Sequence, residues 1–202
     1  MSLPRRITGA RIVSFPGWNR SGDEGMFGRM VVARLLAAAV AWGVLFVSGS
    51  PSAQTATPTP IATYNDWTAY SYKDGATDVC YMASQPKEAT GNYSQRGQIW
   101  ALITHRAPGE ANPVVSIIAG YNYKEGSTAK VSIGDAKFTL FTQGDTAWAN
   151  TPEDDQKLVD AMKRGSRMVV TGTSWRGTDT RDTYSLSGFT KAYGDVRKAC
   201  GL

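Results

Sequence analysis

The sequence predicts an all-β fold, mainly antiparallel, in the form of a β-sandwich or barrel of about eight short strands with one or two short helices. Two observations carry this expectation. From Tyr64 onward, short runs rich in Val, Ile, Thr, Tyr and Phe alternate with turn residues such as Lys73-Asp74-Gly75, Gly134-Asp135 and Gln143-Gly144-Asp145. Only one stretch, Thr151 to Gly165, carries complete helix punctuation. Many short strands and few helices imply two packed β layers or a sheet closed on itself.

The elements follow in chain order. Leu35 to Val47 is a run of thirteen mostly apolar residues, short of the roughly 20 that span a bilayer. With Arg29 and Arg34 before it and the small residues of SGSPSAQTA after it, the run reads as the apolar core of a secretory signal over 26–53. Cleavage is expected after Ala53, although Pro51 is a poor −3 residue. Residues 1–25 form no credible element, and Met26 or Met30 would make a normal start, so this segment reads as an over-extended beginning. No Cys stands near the cleavage region, so a lipid anchor is unsupported. Gln54 to Thr63 (QTATPTPIAT) reads as a flexible Pro/Thr-rich tether, and 64–202 as the domain.

Within the domain, strands are expected at Trp67–Tyr72, Val79–Ala83, Ile99–Arg106 and Pro113–Tyr121. Val115–Ala119 (VSIIA) suggests burial on both faces. Shorter strands follow at Lys130–Ile133, Lys137–Thr142 and Thr146–Ala149. Thr151 then caps a helix with Pro152 at its first position and Glu153, Asp154 and Asp155 in its first turn. Leu158, Val159 and Met162 form its apolar stripe, and Gly165 its stop. Arg167–Ser174 and Thr180–Ser187 read as a hairpin across Trp175-Arg176-Gly177-Thr178-Asp179. Tyr184 and Leu186 alternate there with Thr183, Ser185 and Ser187. Phe189–Ala199 reads as a short helix, weakened by Gly194.

Charge and cysteine usage narrow the function classes. The chain of 202 residues carries a formal charge of +5. Six of its 22 basic and two of its 17 acidic residues precede residue 54, so the remainder carries +1. Nucleic-acid binding thereby loses its main support, since counterion release needs clustered cations. No transmembrane span is expected after Ala53. Cys80 and Cys200 are an even pair in a chain read as exported, so a disulfide is the default and a reactive thiol the alternative. The loop it closes, about 120 residues, corresponds to roughly 5 kcal/mol in the chain-entropy model.

Catalytic material is scarce. His105 is the one imidazole, and no Gly-x-Ser-x-Gly elbow accompanies it, which favours an exposed or turn-bonded histidine over a general base. Glu153, Asp154 and Asp155 suit a helix N-terminus better than a metal. No metal site and no cofactor site are expected, and no Walker, dinucleotide or HExxH motif occurs. Trp175 and Arg176, at a hairpin tip, are residue types enriched in binding hot spots and are the candidate partner-binding residues. The plainer reading packs Trp175 onto the barrel end. Asp145 reads as a turn former and Trp148 as core, and Tyr121 with Tyr123 as either strand residues or an aromatic platform for sugars.

The ordered segments Asp66-Trp67, Cys80, Val115-Ser116, Gly120-Tyr121, Phe138-Thr139-Leu140-Phe141 and Gly144-Asp145-Thr146-Ala147-Trp148 resemble the invasion-associated locus B family of exported bacterial proteins. So do Leu158 to Gly165, Gly172-Thr173-Ser174, Asp182 to Thr190, and the final Cys200. The resemblance covers Tyr64 to Cys200. The family is named for members implicated in host-cell invasion and is also widespread in bacteria with no invasive habit. The resemblance therefore implies an exported, periplasmic or envelope-associated β-rich protein, outer-membrane-associated or released. A non-enzymatic protein that binds an unidentified protein or surface partner fits best. The alternatives are a periplasmic hydrolase using His105 or a carboxylate pair, and a structural or chaperone-like envelope component. Thiol titration of the folded, exported protein is expected to detect no free sulfhydryl before reduction; two titratable thiols would overturn the pairing.

Overall fold

The computed structural model describes residues 57–108 and 110–202. The early start expected over 1–25 and the signal segment over 26–53, with its cleavage point, lie outside the described residues. The strands are β1 (Thr59–Tyr64), β2 (Trp67–Asp74), β3 (Thr77–Ser84), β4 (Glu88–Gly91), β5 (Trp100–Ala107), β6 (Glu110–Ile118), β7 (Thr128–Ile133), β8 (Ala136–Gln143), β9 (Thr146–Trp148), β10 (Arg167–Thr173) and β11 (Asp179–Ser185). The helices are α1 (Pro152–Arg164) and α2 (Phe189–Ala199).

The antiparallel, strand-dominated class is as expected. The strands, however, number eleven among the described residues and lie in one open sheet, ordered β1-β2-β3-β5-β6-β9-β8-β7-β10-β11-β4. Two strands escape the sequence pattern. The expected tether is a strand from Thr59 onward: β1 pairs with β2, and Pro60, which lacks an N–H, is tolerated at an edge beside a bulge between Pro60 and Ala62. β4 forms the opposite edge, four exposed residues held on β11 by pairs from Glu88–Thr183 to Gly91–Thr180. A short, charged or bulged strand at each edge resists further pairing.

The sheet coils so that one face of every long strand meets a single apolar core. Met82 of β3, Ile103 of β5, Val115 and Ile117 of β6, Val131 of β7, Leu140 of β8 and Tyr184 of β11 all enter that core. Burial along β6 alternates: Val115 and Ile117 are buried and Ser116 and Ile118 half-buried, so this strand has one core face and not the two expected. The coiling brings the start of β2 against the end of β11. There the Trp67 indole N–H donates to the Ser185 carbonyl at 3.0 Å, and the Asp66 N–H donates to the Ser187 carbonyl.

Both helices cover this coiled sheet. Thr151 Oγ1 accepts from the Asp154 N–H at 3.1 Å, which starts α1 as expected. Leu158, Val159 and Met162 are fully buried. Gly165 ends α1 in extended geometry (φ −84°, ψ 164°), without the left-handed turn of a glycine stop. A Cβ there would strike Ile133, so this glycine is needed for space. α2 forms despite Gly194 because Phe189, Ala192, Tyr193 and Val196 bury one face. Phe189 packs edge-on against Trp67, with ring centroids 5.0 Å apart. Cys200, just beyond α2, is disulfide-bonded to Cys80 of β3, which fastens the helix to the sheet.

Asp155 takes a place that charge patterning alone does not suggest. β9 ends opposite Ser116, so Val115 lacks a strand partner on that side, and its N–H donates to Asp155 Oδ1 at 2.9 Å. Burial pushes the Asp155 carboxyl up to about 6, against the opposing pull of that N–H. An unfolded aspartate titrates near 3.9. Between about pH 4 and pH 6 the folded chain therefore holds a proton that the unfolded chain has released, and stability falls as pH rises through that window. Asp155→Asn keeps the acceptor for Val115. Urea unfolding at pH 4 and pH 7 is expected to show the variant less pH-dependent than wild type by about 1–3 kcal/mol; an unchanged slope would assign the effect to other groups.

Candidate functional site

The β10–β11 hairpin follows its expected strands, and its tip projects. Trp175 is 61% exposed, the largest value among the exposed large hydrophobic residues described. The expectation that it packs onto the end of the sheet therefore fails. Its only described ring partner is its neighbour: the Arg176 guanidinium lies over the indole, 4.9 Å from the ring centroid.

The tip is exposed yet tightly held. Ser174 N–H donates to Thr178 O at 2.9 Å, Gly177 N–H to Ser174 O at 2.8 Å, and Thr178 N–H to Ser174 Oγ at 3.2 Å. At its base Thr173 Oγ1 donates to Asp179 Oδ1 at 2.7 Å. The segment after β6 buttresses one side. Trp175 N–H donates to Asn122 O and Lys124 N–H to Thr173 O, with a bridge between Tyr123 and Ser174. An exposed aromatic on a rigid mount loses little freedom on binding.

Beneath the hairpin lies a buried charged cluster. β11 alternates, so Thr180, Asp182 and Tyr184 all point into the interior. Asp182 is met there by Arg96, whose two terminal nitrogens donate to its carboxylate at 2.7 and 2.6 Å. Arg96 Nε donates to the Ala119 carbonyl at 2.7 Å, and its guanidinium lies 4.9 Å from the Tyr121 ring centroid. Burial opposes the charge on Arg96, but its bonds to Asp182 outweigh that and raise its pKa. Tyr121 Oη and Thr180 Oγ1 share a hydrogen bond of 2.6 Å. Arg96 thus ties the irregular chain before β5 to both β11 and the end of β6.

Gly120 shapes the same corner. It adopts φ +72°, and a Cβ there would crowd the Gly97 backbone, whose N–H donates to Gly120 O at 2.8 Å. Tyr123 is buried and Tyr121 half-buried, edge to face at 5.3 Å between centroids, so they do not form an open platform. Sequence reasoning missed Arg96 because the chain around it has no periodicity. The available signal was Asp182, two residues before Tyr184 on the inward side of an alternating strand, where a carboxylate needs a buried partner.

The remaining candidates separate. His105 is not exposed: it is 1% accessible on β5, across from Cys80 and 5.5 Å from the Tyr193 ring. No face of its ring is open to a substrate. Of the three first-turn carboxylates of α1, Asp155 is buried, Asp154 half-buried and Glu153 exposed. Among the described residues no cluster of three potential metal ligands occurs. Trp148 is half-buried on the outward face, stacked on Phe141 at 5.7 Å, and is not a core residue.

A family model described as invasion associated locus B protein matches residues 67–197. A crystal structure of invasion associated protein b from Bartonella henselae is similar at 15% sequence identity and a TM-score of 0.49, covering 70% of this chain and 98% of that one. No curated protein matches the chain significantly.

Removing Arg96 leaves Asp182 buried without its partner. Arg96→Ala is expected to lower stability by about 3–5 kcal/mol in chemical denaturation. The apolar pair Arg96→Met with Asp182→Leu is expected to recover most of that loss. A cost below about 1 kcal/mol for Arg96→Ala would mean that the ion pair does not hold this corner.

Proposed function

The chain belongs to the invasion associated locus B family, and from that premise we propose that it is an exported envelope protein that acts by binding a protein or surface partner and catalyses no reaction, with host-cell association as the setting. The observation that carries the reading is Trp175, 61% exposed and paired with Arg176 on a hydrogen-bonded hairpin tip. A large exposed indole costs solvation in the free protein, and burying it in a partner's pocket recovers that cost.

Export is supported by the Cys80–Cys200 disulfide, since such bonds persist in oxidising compartments. Among the described residues no helix is long and apolar enough to cross a membrane. A periplasmic or outer-membrane-associated site, or release from the cell, is therefore proposed on the disulfide and the family together. The hydrolase alternative lacks its imidazole, because His105 is enclosed beside Tyr193.

Partner capture from envelope and host-membrane extracts, followed by affinity measurement with the purified partner, tests the proposal. Trp175→Ala with Arg176→Ala is expected to weaken binding at least about ten-fold, with the circular dichroism spectrum and Tm unchanged. Equal affinity of wild type and variant would remove the hairpin tip from the reading.

A further inference from the structure

The outward face of the sheet carries a second feature, separate from the hairpin tip. Cross-strand register aligns Thr90 of β4, Arg181 of β11, Thr171 of β10, Lys130 of β7 and Thr139 of β8 in one row. Two residues further along the same face, Asp179 pairs with Thr173, and Thr128 leads to Phe141 and Trp148. Between the rows runs a groove of ≈ 430 Å³. Its floor includes the aligned residues Gly91, Thr180 and Gly172, and Thr180 turns its side chain to the interior. The groove therefore crosses the strands, walled by hydroxyls, and the row that holds Thr128 continues beyond its lining to the stacked Phe141–Trp148 pair.

Its lining carries two cations, Lys130 and Arg181, against one carboxylate, Asp179. Lys130 and Arg181 are exposed, as are Lys137, Arg167 and the carboxylate Glu88 on the same face, and none of the four cations takes part in an ion pair among the described residues. The carboxylate of the opposite wall, Asp179, already accepts from Thr173 Oγ1. Arg181 and Lys130 stand two strand spacings apart, about 10 Å between backbones. That is comparable to the distance between like groups in successive disaccharides of an extended glycan.

We propose that this groove binds an acidic polysaccharide laid across the strands. Sugar rings present hydroxyls at their edges and C–H groups on their faces. Threonine hydroxyls can exchange hydrogen bonds with the edges. Phe141 and Trp148 offer the apolar surface for a face. Arg181 and Lys130 meet recurring carboxylate or sulfate groups. The two cations that line the groove are too few for a nucleic-acid backbone, whose binding scales with the number of phosphates neutralised. A protein partner would call for a more apolar centre than this hydroxyl-walled groove provides.

Binding of the purified protein to immobilised polygalacturonate, heparin, neutral dextran, polyglutamate and single-stranded DNA tests the assignment. Retention on an acidic glycan, weakening with salt, with none on dextran, is expected. Lys130→Ala with Arg181→Ala should reduce it at least about ten-fold. Phe141→Ala should reduce it without changing the salt dependence, and Trp175→Ala should leave it as in wild type, with Tm confirming that each variant folds. The proposal is overturned by no retention on either acidic glycan, by wild-type binding in the double charge variant or in Phe141→Ala, or by loss in Trp175→Ala as large as in the double variant. Equal retention on polyglutamate or DNA also overturns it, since the groove would then respond to any polyanion.

Discussion

One seam joins the two ends of this sheet. The Trp67 indole donates to Ser185 and packs edge-on against Phe189, so the second strand in sheet order meets the tenth. A sheet of eleven strands with one apolar face cannot remain flat without exposing that face. Right-handed twist lets it coil, but here it coils without closing into a ladder. The gap is filled by a large side chain and a helix instead of by strand pairing. Asp66 and Asn65 add bonds to Ser187 at the same seam, and Lys87 reaches Asp66 at 2.9 Å. α2 lies over the junction and the Cys80–Cys200 bond secures its far end.

The rest of the molecule follows from that inward coiling. The interior must accept whatever the alternating strands point into it, including Asp182, and Arg96 is drawn in to compensate. The bidentate guanidinium satisfies the carboxylate, and the Ala119 carbonyl and the Tyr121 face partner the guanidinium in turn. In doing so they fix the loop before β5, the turn at Gly120 and the base of the β10–β11 hairpin. A stiff hairpin tip can then hold Trp175 and Arg176 in water. The same geometry leaves the opposite face of β7, β10 and β11 solvated, which is why threonines and unpaired cations collect there.

The sequence made some of this legible and not the rest, for reasons tied to particular residues. Helix α1 announces itself because Thr151, Pro152 and the first-turn acids act locally, through the backbone they adjoin. β10 and β11 are legible because Tyr184 and Leu186 alternate with hydroxyl residues. β1 escapes because its Pro/Thr composition resembles a tether, and its pairing with β2 is a property of the edge it occupies. β4 escapes because all four of its residues are exposed, so no hydrophobic alternation marks it. His105 reads as an exposed residue near a strand end, yet register with Cys80 carries it into the core.

By itself, then, the sequence determined the antiparallel β class, the capped helix, the cysteine pair and the hairpin that carries Trp175 and Arg176. Each of these depends on periodicity, on neighbours within a few residues, or on composition. Only the tertiary structure decided that the sheet is single and open, that Arg96 meets Asp182, that Trp175 stands in solvent, and that Lys130 and Arg181 flank one groove. Those facts depend on strand order and register, which bring together residues as far apart in sequence as Arg96 and Asp182. Local patterning carries no information about that pairing, because the energy that selects it comes from burying one shared core.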